Sequence, residues 1–457
     1  MTTHEYDLII VGAGSGNSIP DDEMVEAGWR IAIVEQGRFG GTCLNTGCIP
    51  SKMFVHAADI AATVRDADRF GVHGTFGGAD WPAIRDRVFR RIDPLHDSAV
   101  DYRRGLGTDV YLGAARFVGP RVIEVGDDTL TASRVVIAAG SRPRIPEIEG
   151  LESVEFHTSD SIMRLPAQPR RLMVVGGGFI AAEMSHVFGS LGTEVTIVNR
   201  GATLLALEDD DVQRLFTRIY EQRYDVRHNS TVRRVSQEAP GRPIRVEVDT
   251  AGGLGVVEVD ALLLATGRVP NTDLLNVAAA GVEVDAHGHA RVDDAYRTSA
   301  PGIWALGDAA NHFQLKHMAN AETRLIRHNV VHADDPRPIV FPVVPSAVFA
   351  DPQIASVGAK ERDLVAAGTP YITATQTYGN TAYGWALEDS TSFVKLLADP
   401  TTRLLLGAHI IGPEASLIIQ PLIQAMCLGT TVDQIAHDVI YIHPALTEVV
   451  EQALLAL

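Results

Sequence analysis

Short apolar blocks punctuate this chain, and what closes each block carries the information. Residues 6–11 read as a strand buried on both faces, and Gly12, Gly14 and Gly16 follow at once. Residues 31–34 form a second such strand, which ends at Glu35. The pattern returns at 172–175, where the strand runs into Gly176, Gly177 and Gly178, with Ala181 at the next small position. Its partner strand, 195–198, ends at Asn199-Arg200. Two further blocks leave through a glycine, an arginine and a proline: one through Gly140-Ser141-Arg142-Pro143, the other through Gly267-Arg268-Val269-Pro270. Their parallel placement predicts a duplicated unit. Residues 303–310 give one more buried strand, ending in Gly307-Asp308.

Elsewhere the texture differs. After Phe341, Pro342 and Pro345 mark a boundary. Beyond it, 391–397 and 404–411 read as strands, and 416–428 and 447–457 as amphipathic helices. Residues 53–64 predict a helix with Pro50 at its first position. The stretch 18–23 starts poorly as a helix, since Pro20 is tolerable only in a first turn, which Asp21, Asp22 and Glu23 would suit. The expected fold is α/β: two Rossmann-like dinucleotide-binding domains and a C-terminal α+β domain. Its 457 residues suggest about three domains. The boundaries are drawn at 1–150, 151–270, 271–340 (a return to the first domain) and 341–457.

Charge and composition narrow the class. A net charge of -18 argues against nucleic acid and anionic membrane as partners. No apolar run approaches the ~20 residues of a membrane span, and the first residues lack signal-peptide character. The expected location is the cytoplasm, where a disulfide is more often catalytic than structural. The chain has 3 cysteines, so it is no disulfide scaffold. Cys427 sits in an apolar helix and reads as a core residue.

Cys43 and Cys48 flank Thr46 and Gly47, just after the first glycine unit and before a helix. A thiolate at a helix N-terminus is stabilised by the dipole, and Lys52 adds positive charge. The pair reads as a redox centre; a static disulfide or two buried thiols is the alternative. Near the C-terminus, Glu448 can fold back beside His443 across Pro444. A carboxylate beside an imidazole fixes its tautomer and favours its charged form, which suits an acid/base group. A structural helix start is the plainer reading. Glu35 can accept from a ribose diol, and Asn199-Arg200 fits the 2′-phosphate of NADP, where an acid would fit NAD. Arg200 could equally be a surface residue. Asp308 can accept from a flavin ribityl hydroxyl or cap the next helix.

Together, the stretch from Gly41-Thr42-Cys43 to Cys48 and Lys52, the two glycine units and the terminal His443-Pro444 resemble the FAD-dependent pyridine nucleotide-disulfide oxidoreductases. The resemblance covers essentially the whole chain. Asn17-Ser18-Ile19, Tyr383-Gly384-Trp385 and Cys48 to Val55 narrow it to members that reduce mycothione. It implies FAD around Gly12, Gly14, Ser15, Gly16, Glu35, Gly41, Thr42, Lys52, Ala115, Ser141 and Asp308. It implies NADPH around Gly176, Gly178, Glu183, Asn199, Arg200 and Gly267. Cys48 would be the flavin-proximal thiol and Cys43 the interchange thiol. Lys52 and Glu183 would pair beside the flavin. His443, oriented by Glu448, would act on the other subunit of a homodimer. No metal is implied. Trp81, Arg85 and Trp385 could contact the sugar of the substrate or be ordinary core and surface residues. Thr46 replaces a common Val, and the acidic 21–23 segment replaces an Ala-rich helix. Dihydrolipoamide dehydrogenase and glutathione reductase are the nearest alternatives. A redox-silent FAD-binding interaction protein is the alternative from a different class.

Overall fold

The first apolar block lies at the centre of its sheet. In the computed structural model, which describes residues 2–457, Thr2–Val11 runs parallel to Ile31–Glu35 on one side and Asp128–Ile137 on the other. Leu8, Ile9 and Ile10 are fully buried. A strand covered on both faces shows no alternation, which is why the block reads as continuous. Ile303–Ala305 joins the same 7-stranded sheet beside Asp128–Ile137.

The second block repeats the arrangement. Arg171–Val175 lies between Glu194–Val198 and Ala261–Leu264 in a 4-stranded parallel sheet. Gly178 caps the helix Phe179–Ser190 that follows. The likeness extends to single atoms. Gly12 has φ 107°, and a Cβ there would sit 2.3 Å from the Ala138 carbonyl oxygen. Gly176 has φ 132°, and its Cβ would sit 2.2 Å from the Ala265 carbonyl oxygen. In both units only glycine lets the turn approach the end of the returning strand. The two exits then pair with each other: Ser141–Pro143 lies antiparallel to Arg268–Pro270. The duplicated signal is the seam between the two units.

The last part of the chain forms a 5-stranded antiparallel sheet. The helices Gln420–Leu428 and Thr447–Leu455 share its core through Leu422, Ala425, Val449 and Ala453. Two expectations need correction here. Residues 416–428 form two helices, Ala415–Ile418 and Gln420–Leu428, because Pro421 has no N–H to continue the first and suits the opening of the second. Cys427 is exposed, not part of the core. The helix buries Leu422 and Ala425, and Cys427 falls on the opposite face.

Three smaller differences concern turns. After Gly16 the chain makes a 3₁₀ turn and then a short helix, Asp22–Glu26, capped by the Asp21 carboxylate, which accepts from Met24 N–H at 3.2 Å. Pro20 precedes that cap. The acids pair outward, Asp21 with Arg327 and Glu23 with His332, both at 3.2 Å, which offsets negative charge near the first turn. The cysteine helix, Cys48–Asp66, starts at Cys48, so Pro50 is its third residue.

Trp81 is buried, not available to a substrate. Its ring stacks on Phe188 at 4.9 Å and lies 5.1 Å from Phe54, and its N–H donates to the Leu165 carbonyl at 2.8 Å. It wedges the cysteine helix against Phe179–Ser190. Trp81→Ala should therefore cost about 3–5 kcal/mol in chemical denaturation; a loss under about 1 kcal/mol would contradict this packing role.

Candidate functional site

The cysteine segment rests directly on the first glycine turn. Gly40 and Gly41 take φ 93° and 63°, and a Cβ on Gly41 would lie 2.8 Å from Gly14 Cα. Backbone therefore meets backbone. Gly41–Asn45 is a short helix that carries Cys43, so Cys43 sits on a helical turn and not in an open loop. The buried Asn45 holds this turn, its Nδ2 donating to the carbonyls of Phe39 and Gly41, each at 2.9 Å. Thr46 and Gly47 then reverse the chain, and Cys48 is the first residue of the cysteine helix.

The two sulfurs are chemically unequal. The Cys43 thiol donates to the Cys48 sulfur, and this bond, helped by the Lys52 charge, pulls the Cys48 thiol down to about 7 against the opposing effect of burial. The same bond, together with burial, pushes the Cys43 thiol up, while Lys316 draws it the other way. Of the two sulfurs, Cys48 is therefore the one that ionises first as pH rises. Both cysteines are free.

Lys52, one turn along the helix, donates to both carboxylate oxygens of Glu183, at 2.6 and 2.7 Å. Glu183 is buried on the helix of the second glycine unit and also accepts from Phe349 N–H at 3.0 Å. This ion pair ties the cysteine helix to the second unit.

A cavity of about 470 Å³ runs past these groups. Its walls include Gly12, Gly14, Ser15 and Glu35 together with Cys43, Cys48, Lys52 and Glu183. Glu35 Oε2 accepts from Ala13 N–H at 2.7 Å and Oε1 from Gly37 N–H at 2.8 Å, so the carboxylate is aimed by backbone. Asp308 accepts from the Ser141 hydroxyl at 2.6 Å, and Arg268 donates to that hydroxyl at 2.8 Å. Asp308 does not cap the next helix, Lys316–Val331, where Leu315 holds that position. Thr42 lines the cavity. Gly16 instead packs on Ala138, 2.6 Å from where its Cβ would stand. Ala115 lies with Gly12 and Glu35 at a smaller side pocket. Lys316, absent from the sequence reading, lines the main cavity and donates to Ser15 Oγ at 2.9 Å. Its only signal was a cation near the Gly307-Asp308 turn.

These walls fit a long flavin dinucleotide. They supply a glycine turn, an acid set for a ribose diol, Asp308 fixed by the Ser141 hydroxyl and an ion pair beside the sulfurs. Asn45 also lines the cavity, and its Oδ1 is buried without a partner.

At the second glycine unit, Gly178 and Gly267 have open space around them. Asn199 does not offer its amide outward. Its Nδ2 donates to the carbonyls of Gly201 at 3.1 Å and Thr203 at 2.8 Å, and its Oδ1 accepts from Gly201 N–H. Arg200 is exposed.

His443 and Glu448 meet as expected. Nδ1 of His443 donates to Glu448 Oε1 at 2.7 Å, and Oε2 accepts from Ala445 N–H at 3.1 Å. The bond to His443 holds the Glu448 carboxyl below its ordinary range. The terminal helix begins at Thr447, beyond Pro444. The His443 side chain is 71% exposed and is not on the cysteine cavity wall of its own chain. Arg85 donates to the Leu165 and Pro166 carbonyls and pairs with Asp86, a structural arrangement. Trp385 is exposed, its N–H donating to Gly379 O at 2.7 Å. Among the described residues, no cluster of His, Cys, Asp and Glu could hold a metal, and no helix is long and apolar enough to cross a membrane.

Comparison with known proteins gives the same family throughout. Residues 6–323 match the pyridine nucleotide-disulphide oxidoreductase family, and residues 344–454 match its dimerisation domain. The chain is 46% identical to mycothione reductase of Mycobacterium tuberculosis, over 99% of each chain. It is 31% identical to glutathione reductase of Burkholderia cepacia, over 98% of each. Among solved structures, it superposes on the HOCl-induced flavoprotein disulfide reductase RclA of Escherichia coli with a TM-score of 0.85 at 26% identity, covering 98% of this chain and 99% of that one. Cysteine pair, twin glycine units and antiparallel terminal domain thus converge: the chain belongs to the pyridine nucleotide-disulphide oxidoreductases, as an FAD- and NADPH-dependent flavoprotein disulfide reductase.

Proposed function

We propose that this enzyme reduces mycothione to its thiol, as a homodimer in which each cysteine pair works with His443 of the other subunit. The observation that carries the chemistry is Cys43 and Cys48 side by side on one cavity wall, where the bond between them draws the Cys48 thiol down and pushes the Cys43 thiol up. The substrate reading is supported by the 46% identity to a protein named mycothione reductase. Residues 1–150 and 271–340 would carry the flavin site, 151–270 the NADPH site and 341–457 the dimer interface. A cytoplasmic location agrees with this chemistry.

FAD, when bound, supplies two-electron transfer from NADPH to the cysteine disulfide. Gly12, Gly14, Ser15, Glu35, Thr42 and Asp308 would hold it, with Gly41, Ala115 and Ser141 shaping the walls. The Lys52–Glu183 pair keeps a cation next to Cys48, so that sulfur stays ionised. Cys43 gives its proton to the imidazole and attacks the substrate disulfide, forming a mixed disulfide. The departing thiolate takes a proton from Nε2 of that imidazole. Cys48 thiolate then attacks the Cys43 sulfur, restoring the internal disulfide and expelling the second thiolate, which is protonated from solvent through the same imidazole. Glu448, kept ionised, holds Nδ1–H and leaves Nε2 for this work. In the NADPH site Gly178 and Gly267 would give room, Gly176 would let the turn close on the strand end and Arg200 would meet the 2′-phosphate, while Asn199 shapes the turn.

Three measurements follow. In reduced FAD-loaded enzyme, alkylation mapped by mass spectrometry should rise through pH of about 7 at Cys48. Cys43→Ala should move this midpoint up, since it removes the largest stabilising bond; a midpoint that survives in Cys48→Ser would refute the assignment. His443→Gln should slow disulfide turnover about a hundredfold while NADPH still reduces the cysteine pair at nearly the wild-type rate; equal loss in both half-reactions would count against the acid/base role. Finally, mycothione with NADPH should outpace glutathione disulfide and lipoamide, and faster turnover of lipoamide with NADH would overturn both substrate and nucleotide readings.

A further inference from the structure

The loop 199–209 carries Arg200 from the end of Glu194–Val198 to the start of the helix Asp210–Arg223. Its inner edge is held by the nucleotide unit itself. Leu205 N–H donates to the Gly177 carbonyl at 2.7 Å, and the Asn199 amide grips Gly201 and Thr203. Its outer edge is held from the antiparallel terminal part of the chain. Arg362, on the helix Glu361–Ala367, donates to the carbonyls of Glu208 at 2.6 Å and Ala206 at 3.3 Å, and pairs with Asp210. Lys395, on the strand Phe393–Ala398, is 2% exposed and donates to Asp209 at 2.9 Å, to Glu361 at 2.7 Å and to Asp211. Asp209 is 1% exposed and caps the helix that ends the loop. Gln213 links the two edges, donating to the Glu208 carbonyl at 2.8 Å and accepting from Thr203 Oγ1 at 2.7 Å.

We propose that Lys395 and Arg362 are positioning residues for NADPH: the dimerisation domain sets the conformation of the loop that presents Arg200 to the 2′-phosphate. This rests on reading Arg200 as the phosphate contact. Removing a buried ammonium leaves its carboxylates without a counter-charge. Two of those carboxylates, Asp209 and Asp211, are the cap and first turn of the helix after the loop, so the loop end is what loosens. The hydrogen bonds of Lys395 and Arg362 reach neither the glycine motif nor the Lys52–Glu183 pair, and the inner edge of the loop, where Leu205 N–H meets the Gly177 carbonyl and Asn199 holds Gly201 and Thr203, keeps its own bonds. The expected loss therefore falls on the phosphate that only NADP⁺ carries.

The test uses the FAD-loaded dimer. NADP⁺ and NAD⁺ are titrated by calorimetry into wild type, Lys395→Met, Lys395→Arg and Arg362→Met, with hydrogen exchange followed over residues 200–208. Lys395→Met and Arg362→Met should each weaken NADP⁺ about fivefold, within the range of long-range coupling, with NAD⁺ nearly unchanged and faster exchange in the loop. Lys395→Arg should recover much of the loss. Equal weakening of both nucleotides, or unchanged NADP⁺ affinity, would overturn the proposal. Should Lys395→Met not fold, Arg362→Met decides alone. Wild type that binds NAD⁺ as tightly as NADP⁺ would contradict the Arg200 reading itself, a separate failure visible before any variant is made.

Discussion

The site depends on one ion pair, Lys52 with Glu183. It spans the junction between the helix that begins at Cys48 and the helix that follows the second glycine turn. A half-exposed ammonium on a buried carboxylate, with both oxygens engaged, is geometrically specific and costly to break from one side. It leaves a cation beside the Cys48 sulfur with its orientation fixed. Trp81 packs beneath the same two helices. Packing sets their separation and the ion pair sets their register. Without both, the sulfurs, the first glycine turn and the second nucleotide unit would not share one cavity wall.

Duplication explains why that wall exists. Each unit brings a glycine turn hard against the last carbonyl of its returning strand, and each sends the chain out through a short arm. The arms pair antiparallel, so the two nucleotide sites face a common seam. Arg268, from the second arm, reaches across to Ser141 of the first, which in turn holds Asp308. One unit thus sets a polar group in the other unit's cavity.

Most of this was legible because it is written in local chemistry. A left-handed turn needs glycine, a fully buried strand is uniformly apolar, and a redox pair needs two cysteines at a helix start. The misses share a cause: they depend on which face of an element meets a partner. Cys427 lies in an apolar run, yet its helix buries Leu422 and Ala425 instead. Trp81 and Arg85 looked like free recognition groups until Leu165 took their hydrogen bonds. Asn199 was expected around NADPH, but its amide is consumed by its own loop. Lys316, Lys395 and Arg362 carry no motif, since their partners lie far away in the chain.

The cavity holds two cysteines and a lysine, and the acid/base pair of the same chain stands outside it. The central claim is that a second copy brings that pair to the sulfurs. Mixed dimers of Cys43→Ser and His443→Gln subunits test it most directly. Neither homodimer should turn over disulfide at more than a trace. The mixed dimer contains one cavity with intact cysteines facing an intact His443, and should recover about half the wild-type rate per dimer. A mixed dimer as inactive as its parents would contradict the account.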